Sequence, residues 1–314
     1  MAYAIAMLSI HTSPLDQPGR TRDVGGMSVY IHELAQELGQ LHLKIDIFTR
    51  WTNEDIPKIV QLNPNVRVIH IKAGPVATVH KSELYQYIPA FARHIEDFRR
   101  HEAACYDVIH SHYWLSSVAA TQLAYHWNVP HITMFHTLGR LKQLTNPNES
   151  EPPLRLEMEQ RLIHHVDRII ASTTDESTQI IHNYRAAASQ VEIIPGGVDL
   201  KLFVPFDRQI AREQLGWKSQ APILLFAGRL DPFKGPDLLL RAAAMMQEKT
   251  QVVIVGGRLT DDEDVQQLQA LANDLGISHR VQFLGDHPHE EMPLIYSAAD
   301  ITVVPSYYES FGLA

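Results

Sequence analysis

Short apolar runs alternate with amphipathic runs along almost the whole chain, and this alternation constrains the fold more than any other feature. Residues 3–10, 44–49, 66–72, 107–112, 131–136, 168–172 and 191–194 have the length and apolar content of buried strands. Between them, residues 27–38, 82–103, 116–127 and 175–184 read as helices, and Pro152 and Pro153 lead into another that ends near Val166. In the first, Ile31, Leu34, Ala35 and Leu38 make one stripe. A second alternating series begins near Pro222. Its strands fall at 223–227, 251–255, 281–284 and 301–304, and its helices at 236–246, 264–275 and 290–299. Strand–helix alternation predicts α/β folding around mostly parallel sheets covered on both faces. The junction at 196–220 is polar and turn-rich. It divides the chain into an N-terminal domain, residues 1–200, and a C-terminal domain, residues 201–314, each doubly wound, with a cleft expected between them. The second domain then holds four strands, and residues 305–314 read as a loop and the first turn of a helix. The expectation is an incomplete C-terminal domain in a fragment of a longer protein.

Composition excludes several classes. At 45% hydrophobic and 20% charged residues, the 314-residue chain can build a sizeable core. A net charge of -9 argues against a nucleic-acid partner, which demands a basic face. No apolar run reaches the length of a membrane span. Residues 91–102 carry Arg93, Arg99 and Arg100, but Glu96, Asp97 and Glu102 dilute them. This reads as a solvated helix face, with weak peripheral membrane contact the lesser reading. The single cysteine, Cys105, forms no disulfide within the chain, which fits a cytoplasmic protein. It stands in an apolar-aromatic context beside Tyr106, a poor setting for a nucleophilic thiol.

The stretch richest in chemistry is Gly228-Arg229-Leu230-Asp231-Pro232-Phe233-Lys234-Gly235. It joins a strand to a helix at the carboxyl end of the strand, where open α/β sheets bind ligands. Arg229 and Lys234 beside a helix start suit a diphosphate, the helix adding N–H groups and the positive end of its dipole. Read alone, the loop favours an ordinary basic turn whose charges meet only water, and the rest of the chain must tip that balance. Gly25 and Gly26 directly precede a helix, where a phosphate or sugar could approach the backbone. No G-x-G-x-x-G follows the first strand, which disfavours nicotinamide and flavin cofactors. His110 and His112 alternate onto one face at a strand end. A metal there would need a third ligand, and none stands at a telling spacing. His136 and Thr137 end another strand at its carboxyl edge. Glu309 precedes Ser310-Phe311-Gly312-Leu313 at an expected helix start, suited to sugar hydroxyls or simply to capping.

These segments resemble a known family. DVGGM in the first loop, SHYWLS at 111–116, HTL at 136–138, IPGGVD at 194–199, GRLDPFKG at 228–235 and ESFGL at 309–313 occur in the order seen in the retaining glycosyltransferases of family 4. The resemblance spans nearly the whole chain and implies the GT-B architecture of two Rossmann-like domains. HTSPLDQPGRTRDVGGMSVY, AGP at 73–75 and SHYWLS make it most similar to the D-inositol-3-phosphate glycosyltransferase branch, with sucrose-phosphate synthases as cousins.

The resemblance implies transfer of a sugar from a nucleoside-diphosphate sugar, a UDP-sugar foremost, to a small phosphorylated acceptor, without metal or other cofactor. It assigns catalysis to Arg229, Lys234, His136 and Glu309. It assigns donor binding to Gly25, Gly26, Arg229, Lys234, Phe311, Gly312 and Leu313, and acceptor binding to Lys81, Tyr113, Thr137 and Arg155. A second family carboxylate, about eight positions after Glu309, would fall beyond Ala314. Two other readings stand beside this one: a sucrose-phosphate-synthase-like transferase, and a nucleotide-sugar-binding protein without turnover.

Overall fold

A computed structural model describes residues 3–16, 26–145, 150–217, 221–260 and 262–307. It divides into two compact units, Met1–Gly196 and Gly197–Ala314.

The N-terminal unit is built on strands β1 (Ala4–Ser9), β2 (Lys44–Arg50), β3 (Ile59–Asn63), β4 (Val66–Ile71), β5 (Val108–His112), β6 (His131–Met134), β7 (Arg168–Ala171) and β8 (Val191–Ile193). They form one sheet in the order β3-β4-β2-β1-β5-β6-β7-β8. Every pairing is parallel except β3 with β4. The central strands β1 and β2 are buried almost throughout, as continuous apolar runs require in a sheet covered on both faces. The helices are α1 (Gly26–Gln40), α2 (Ile88–His101), α3 (Tyr113–Trp127), α4 (Gly139–Thr145), α5 (Pro153–Ile163) and α6 (Thr174–Tyr184). Ile31 and Ala35 of α1 pack into a core with Met7, Ile45, Ile47, Val66 and Val68.

The C-terminal unit has α7 (Arg208–Gln214), α8 (Pro236–Ala244), α9 (Glu263–Asp274) and α10 (Met292–Ala298) around β9 (Ile223–Ala227), β10 (Gln251–Val255), β11 (Val281–Gly285) and β12 (Ile301–Thr302). Its sheet is parallel, in the order β11-β10-β9-β12. Leu239, Leu240 and Ala243 of α8 pack with Val265, Leu268 and Ala272 of α9 over Leu224, Phe226, Val252 and Ile254.

Four elements depart from expectation. The expected helix at 82–103 breaks into a 3-10 turn, Lys81–Tyr87, and α2. Pro89 is the reason: it lacks an N–H and is tolerated only in the first turn of a helix, so α2 starts there. Strand β3 had no expected counterpart. It is short and unevenly buried, and it pairs back on β4 through the Asn63-Pro64-Asn65 turn. Helix α4 falls in a stretch too short to show a helical period. Helix α7 occupies the junction expected to be irregular, capped by the Asp207 carboxylate, which accepts from the N–H groups of Gln209 and Ile210.

Candidate functional site

Six non-glycine residues among those described have φ in the left-handed region. His42, Ala103, Asn128 and Arg185 follow the C-terminal ends of helices, where that conformation is ordinary. Tyr113 (φ 72°) and His136 (φ 60°) do not. Both lie just past the carboxyl ends of adjacent parallel strands, β5 and β6. The chain pivots sharply at His136, where Thr137 N–H donates to the Phe135 carbonyl at 2.7 Å across a three-residue turn. Strained backbone of this kind persists where the surroundings over-determine it, and it gathers at binding sites.

A histidine cluster surrounds this corner. His110 and His112 share a face of β5, their rings 4.3 Å apart between centroids. His112 Nδ1 lies 2.9 Å from His136 Nε2. The Tyr30 ring, one turn into α1 from Gly26, meets His136 edge-on at 5.4 Å and His112 at 6.0 Å. Burial holds all three histidines neutral: His110 titrates at about 4, His136 at about 3, and His112 well below the ordinary value. Among the described residues no three His, Cys, Asp or Glu side chains converge as a metal site would require. His11 follows β1 and packs on Tyr113 at 4.4 Å.

Three of the four expected acceptor residues meet around Arg155. Its guanidinium lies 5.1 Å over the Tyr113 ring, and its Nη2 donates to the carbonyl and hydroxyl of Thr137. The resemblance places Arg155 among the acceptor-phosphate ligands, and in the structure its guanidinium turns inward. Arg155 is 5% exposed; its Nε donates to Glu159 at 2.7 Å and its Nη1 to Glu151 at 2.8 Å. Lys142 joins Glu151 from the other side at 2.7 Å. Glu159 also accepts from the Gly139 N–H and the Tyr184 hydroxyl, so the acid is fully engaged. Arg155 therefore braces the backbone at Thr137. Lys81 opens the 3-10 turn and is exposed. That turn is held near Tyr113 through Tyr85, which stacks on Trp114 at 5.9 Å.

Sequence reasoning missed Tyr30, His11 and Arg50. The Arg50 guanidinium, buried at the end of β2, donates to the carbonyls of Pro75 and Ala77 at 2.8 and 2.6 Å and fixes the loop that leads to Lys81. An arginine closing an apolar strand run is a legible signal, because a buried guanidinium must find acceptors.

In the C-terminal unit, β9 ends at Ala227 and the loop 228–235 follows. The Gly228 N–H donates to the Val255 carbonyl, and Gly256 lies so close that a Cβ there would stand 2.0 Å from the Gly228 carbonyl oxygen. Asp231 organises the loop. Its Oδ1 accepts from Phe233 N–H at 3.1 Å, opening a 3-10 turn at Pro232–Lys234, and its Oδ2 lies 3.2 Å from Arg229 Nη2. The Arg229 side chain stays 46% exposed despite this pairing. Lys234 ends the turn, and Gly235 (φ 67°) passes the chain into α8. The helix start is poorer in donors than expected. Pro236 has no N–H, and Leu238 N–H bonds the Gly235 carbonyl. Past β12, Tyr307 N–H donates to the Phe233 carbonyl at 3.0 Å, tying that segment to the loop. Gly25, Glu309, Phe311, Gly312 and Leu313 lie outside the described residues.

Cys105 is exposed, and it precedes β5, at the opposite sheet edge from His112. Arg99 and Arg100 both pair with Glu96, which lessens the basic character of the 91–102 face. Among the described residues no helix is long and apolar enough to cross a membrane.

Both units thus place their distinctive residues at the carboxyl edges of parallel strands. The family model Glycosyltransferase Family 4 matches residues 24–202, and Glycosyl transferases group 1 matches residues 207–314. The D-inositol 3-phosphate glycosyltransferase of Geodermatophilus obscurus is 42% identical over 98% of this chain and 71% of its own length. The chain belongs to glycosyltransferase family 4. The enzyme of the same name from Kribbella flavida is 40% identical to this family 4 glycosyltransferase, over 98% of this chain and 75% of its own. Among solved structures, sucrose-phosphate synthase from Thermosynechococcus elongatus matches with a TM-score of 0.90 and 31% identity, covering 99% of this chain and 77% of that one. Anabaena HepE in complex with UDP and glucose shares the fold, with a TM-score of 0.70 at 21% identity over 99% of this chain and 76% of its own. Two Rossmann-like units make this a GT-B glycosyltransferase, as the motif order implied.

Proposed function

We propose that this glycosyltransferase moves a sugar from a UDP-sugar to a hydroxyl of a small phosphorylated acceptor, inositol phosphate foremost, with retention of anomeric configuration and without a metal. The observation that carries the reading is the Gly228–Gly235 loop. Two cations flank a capped turn at the carboxyl end of β9, in a chain 42% identical to a D-inositol 3-phosphate glycosyltransferase. Arg229 and Lys234 hold the diphosphate and stabilise its charge as the bond to the anomeric carbon breaks, the work a divalent cation does in other transferases. Preorganised groups of this kind are each worth about 2.7–4 kcal/mol of transition-state stabilisation. Gly25 and Gly26 let a phosphate or sugar group of the donor approach the backbone. His136 faces the sugar, and Glu309 with Phe311, Gly312 and Leu313 takes its hydroxyls. The acceptor hydroxyl attacks from the face the diphosphate leaves, and a phosphate oxygen takes its proton.

Lys81, Tyr113 and Thr137 receive the acceptor phosphate, and Arg155 acts on it through Thr137 and Tyr113. A cytoplasmic setting, where nucleotide sugars are abundant, fits the single unpaired cysteine.

The 31% identity to sucrose-phosphate synthase favours a second acceptor class, a ketose phosphate. A panel of UDP-, GDP- and ADP-sugars read by thermal shift identifies the donor. Inositol phosphate and fructose 6-phosphate are then offered as acceptors, with EDTA present and the anomeric configuration of the product read by NMR. Donor binding with neither transfer nor hydrolysis would leave a binding protein without turnover; inverted product or loss of activity in EDTA would overturn the mechanism.

A further inference from the structure

The histidine pair at the ends of β5 and β6 carries a proton-placement argument. His112 Nδ1 and His136 Nε2 are 2.9 Å apart, so one donates and the other accepts. Neither ring is charged, because burial depresses both. One imidazole therefore offers its single proton to the lone pair of the other. The direction is set by the far side of His112. Its ring is fully buried against His110, and among the described residues no group hydrogen-bonds its Nε2. A buried N–H left without an acceptor is rare and costly, while an idle lone pair is tolerated better. The proton of His112 then sits on Nδ1 and is given to His136 Nε2.

We propose that His112 is a positioning residue that fixes His136 as the tautomer protonated at Nδ1, so that His136 serves the site as a hydrogen-bond donor and not as a proton acceptor. The lone pair by which His136 could act as a base is already taken by His112. The sharp turn at His136, with φ 60°, and the Tyr30 ring set edge-on at 5.4 Å hold the imidazole in this pairing. This goes beyond the transfer reading, and the tautomer stands whether or not that reading does.

The test is the long-range 1H–15N spectrum of protein labelled with 15N-histidine, at neutral pH and without ligand. The His136 ring is assigned by its loss in His136→Gln and by through-bond connection to its backbone. The expected result is a neutral ring protonated at Nδ1; protonation at Nε2 overturns the proposal. Two variants test positioning. His112→Asn keeps an N–H donor near Nδ1, and His112→Phe keeps the ring's bulk without a donor. In the Phe variant the His136 tautomer is expected to become mixed, and kcat/KM with UDP-glucose to fall about tenfold, the worth of one hydrogen bond. The Asn variant is expected to retain the wild-type tautomer and most of the activity. An unchanged His136 tautomer in the Phe variant, or equal losses in both variants, overturns the positioning role. Absence of turnover with UDP-glucose in the wild type counts against the transfer reading and leaves the spectrum to decide the tautomer.

Discussion

One nitrogen of Arg155 bonds Thr137 twice: Nη2 donates to the carbonyl oxygen at 2.9 Å and to Oγ1 at 3.2 Å. The same guanidinium gives its other two nitrogens to Glu159 and Glu151, so a helix residue ties the turn after His136 to two buried acids. The corner that carries His136 and Thr137 is thus held from α5 rather than from its own strand.

Replacing Arg155 by Met should therefore destabilise the N-terminal unit by about 3–5 kcal/mol, because it leaves two carboxylates buried with one cation fewer. Urea denaturation of the variant against wild type measures this. Glu159→Gln keeps the shape and most hydrogen bonds and should be the milder change. A loss below 1 kcal/mol for Arg155→Met would show that the acids are better solvated than their burial indicates.

Lys234→Ala should lower kcat at least 100-fold while leaving the melting temperature within a degree or two. Lys234 sits at the end of a short turn whose shape is set by Asp231 and Gly235, so its removal leaves the loop intact. Steady-state kinetics and a thermal melt on one preparation separate the two effects. Unchanged turnover would remove Lys234 from the diphosphate site.

Gly256→Ala tests the close approach beneath the loop. The added methyl would stand 2.0 Å from the Gly228 carbonyl oxygen, a backbone atom that cannot rotate away, and φ is 127°. Gly235→Ala meets the Pro305 carbonyl at 2.4 Å with φ 67°. Each should destabilise by roughly 1–3 kcal/mol and weaken donor binding, because the Arg229–Lys234 segment must shift. Isothermal titration with UDP-sugar beside a urea melt reads both; wild-type values in both variants would contradict the packing described.

Acidification should destabilise the protein below neutrality. His110, His112, His131 and His136 have folded-state pKa values below the unfolded value near 6.5, all through burial. A depressed histidine contributes fully above the unfolded pKa. Its contribution is lost as pH falls from there toward the folded pKa, because only the unfolded chain takes up the proton. From pH 6.5 to 5, each such histidine removes roughly 2 kcal/mol. Glu176 acts in the opposite sense. Burial raises it to about 7, so the folded state takes up a proton between pH 7 and the usual carboxylate range, and this offsets about one histidine. Urea midpoints at pH 7 and pH 5 should differ clearly; equal midpoints would mean the cluster is hydrated.

Much of the fold was legible because its strands are central. A buried parallel strand is an unbroken apolar run, as residues 4–9, 44–50, 223–227 and 251–255 are, and turns at their ends announce themselves. Strand β3 was not, because an edge strand seen by water on one side needs no such run. Its signal was the Asn63-Pro64-Asn65 turn between two β-branched stretches. The break before Pro89 was legible in principle, since proline marks a helix start more often than a helix interior.

The site divides along the same line. The sequence alone determined that Arg229 and Lys234 share one strand-to-helix turn and that His110 and His112 share a face, because these relations are set within a few residues by backbone geometry. Only the tertiary structure decided that Arg155 turns inward to Thr137 and two acids, and that His112 meets His136. A side chain's partner depends on which strands the sheet makes neighbours, and β5 lies beside β6 through pairings that no local pattern encodes. Burial then fixes the charge states: His112, fully enclosed once β5 is covered on both faces, stays neutral whatever its neighbours in the chain.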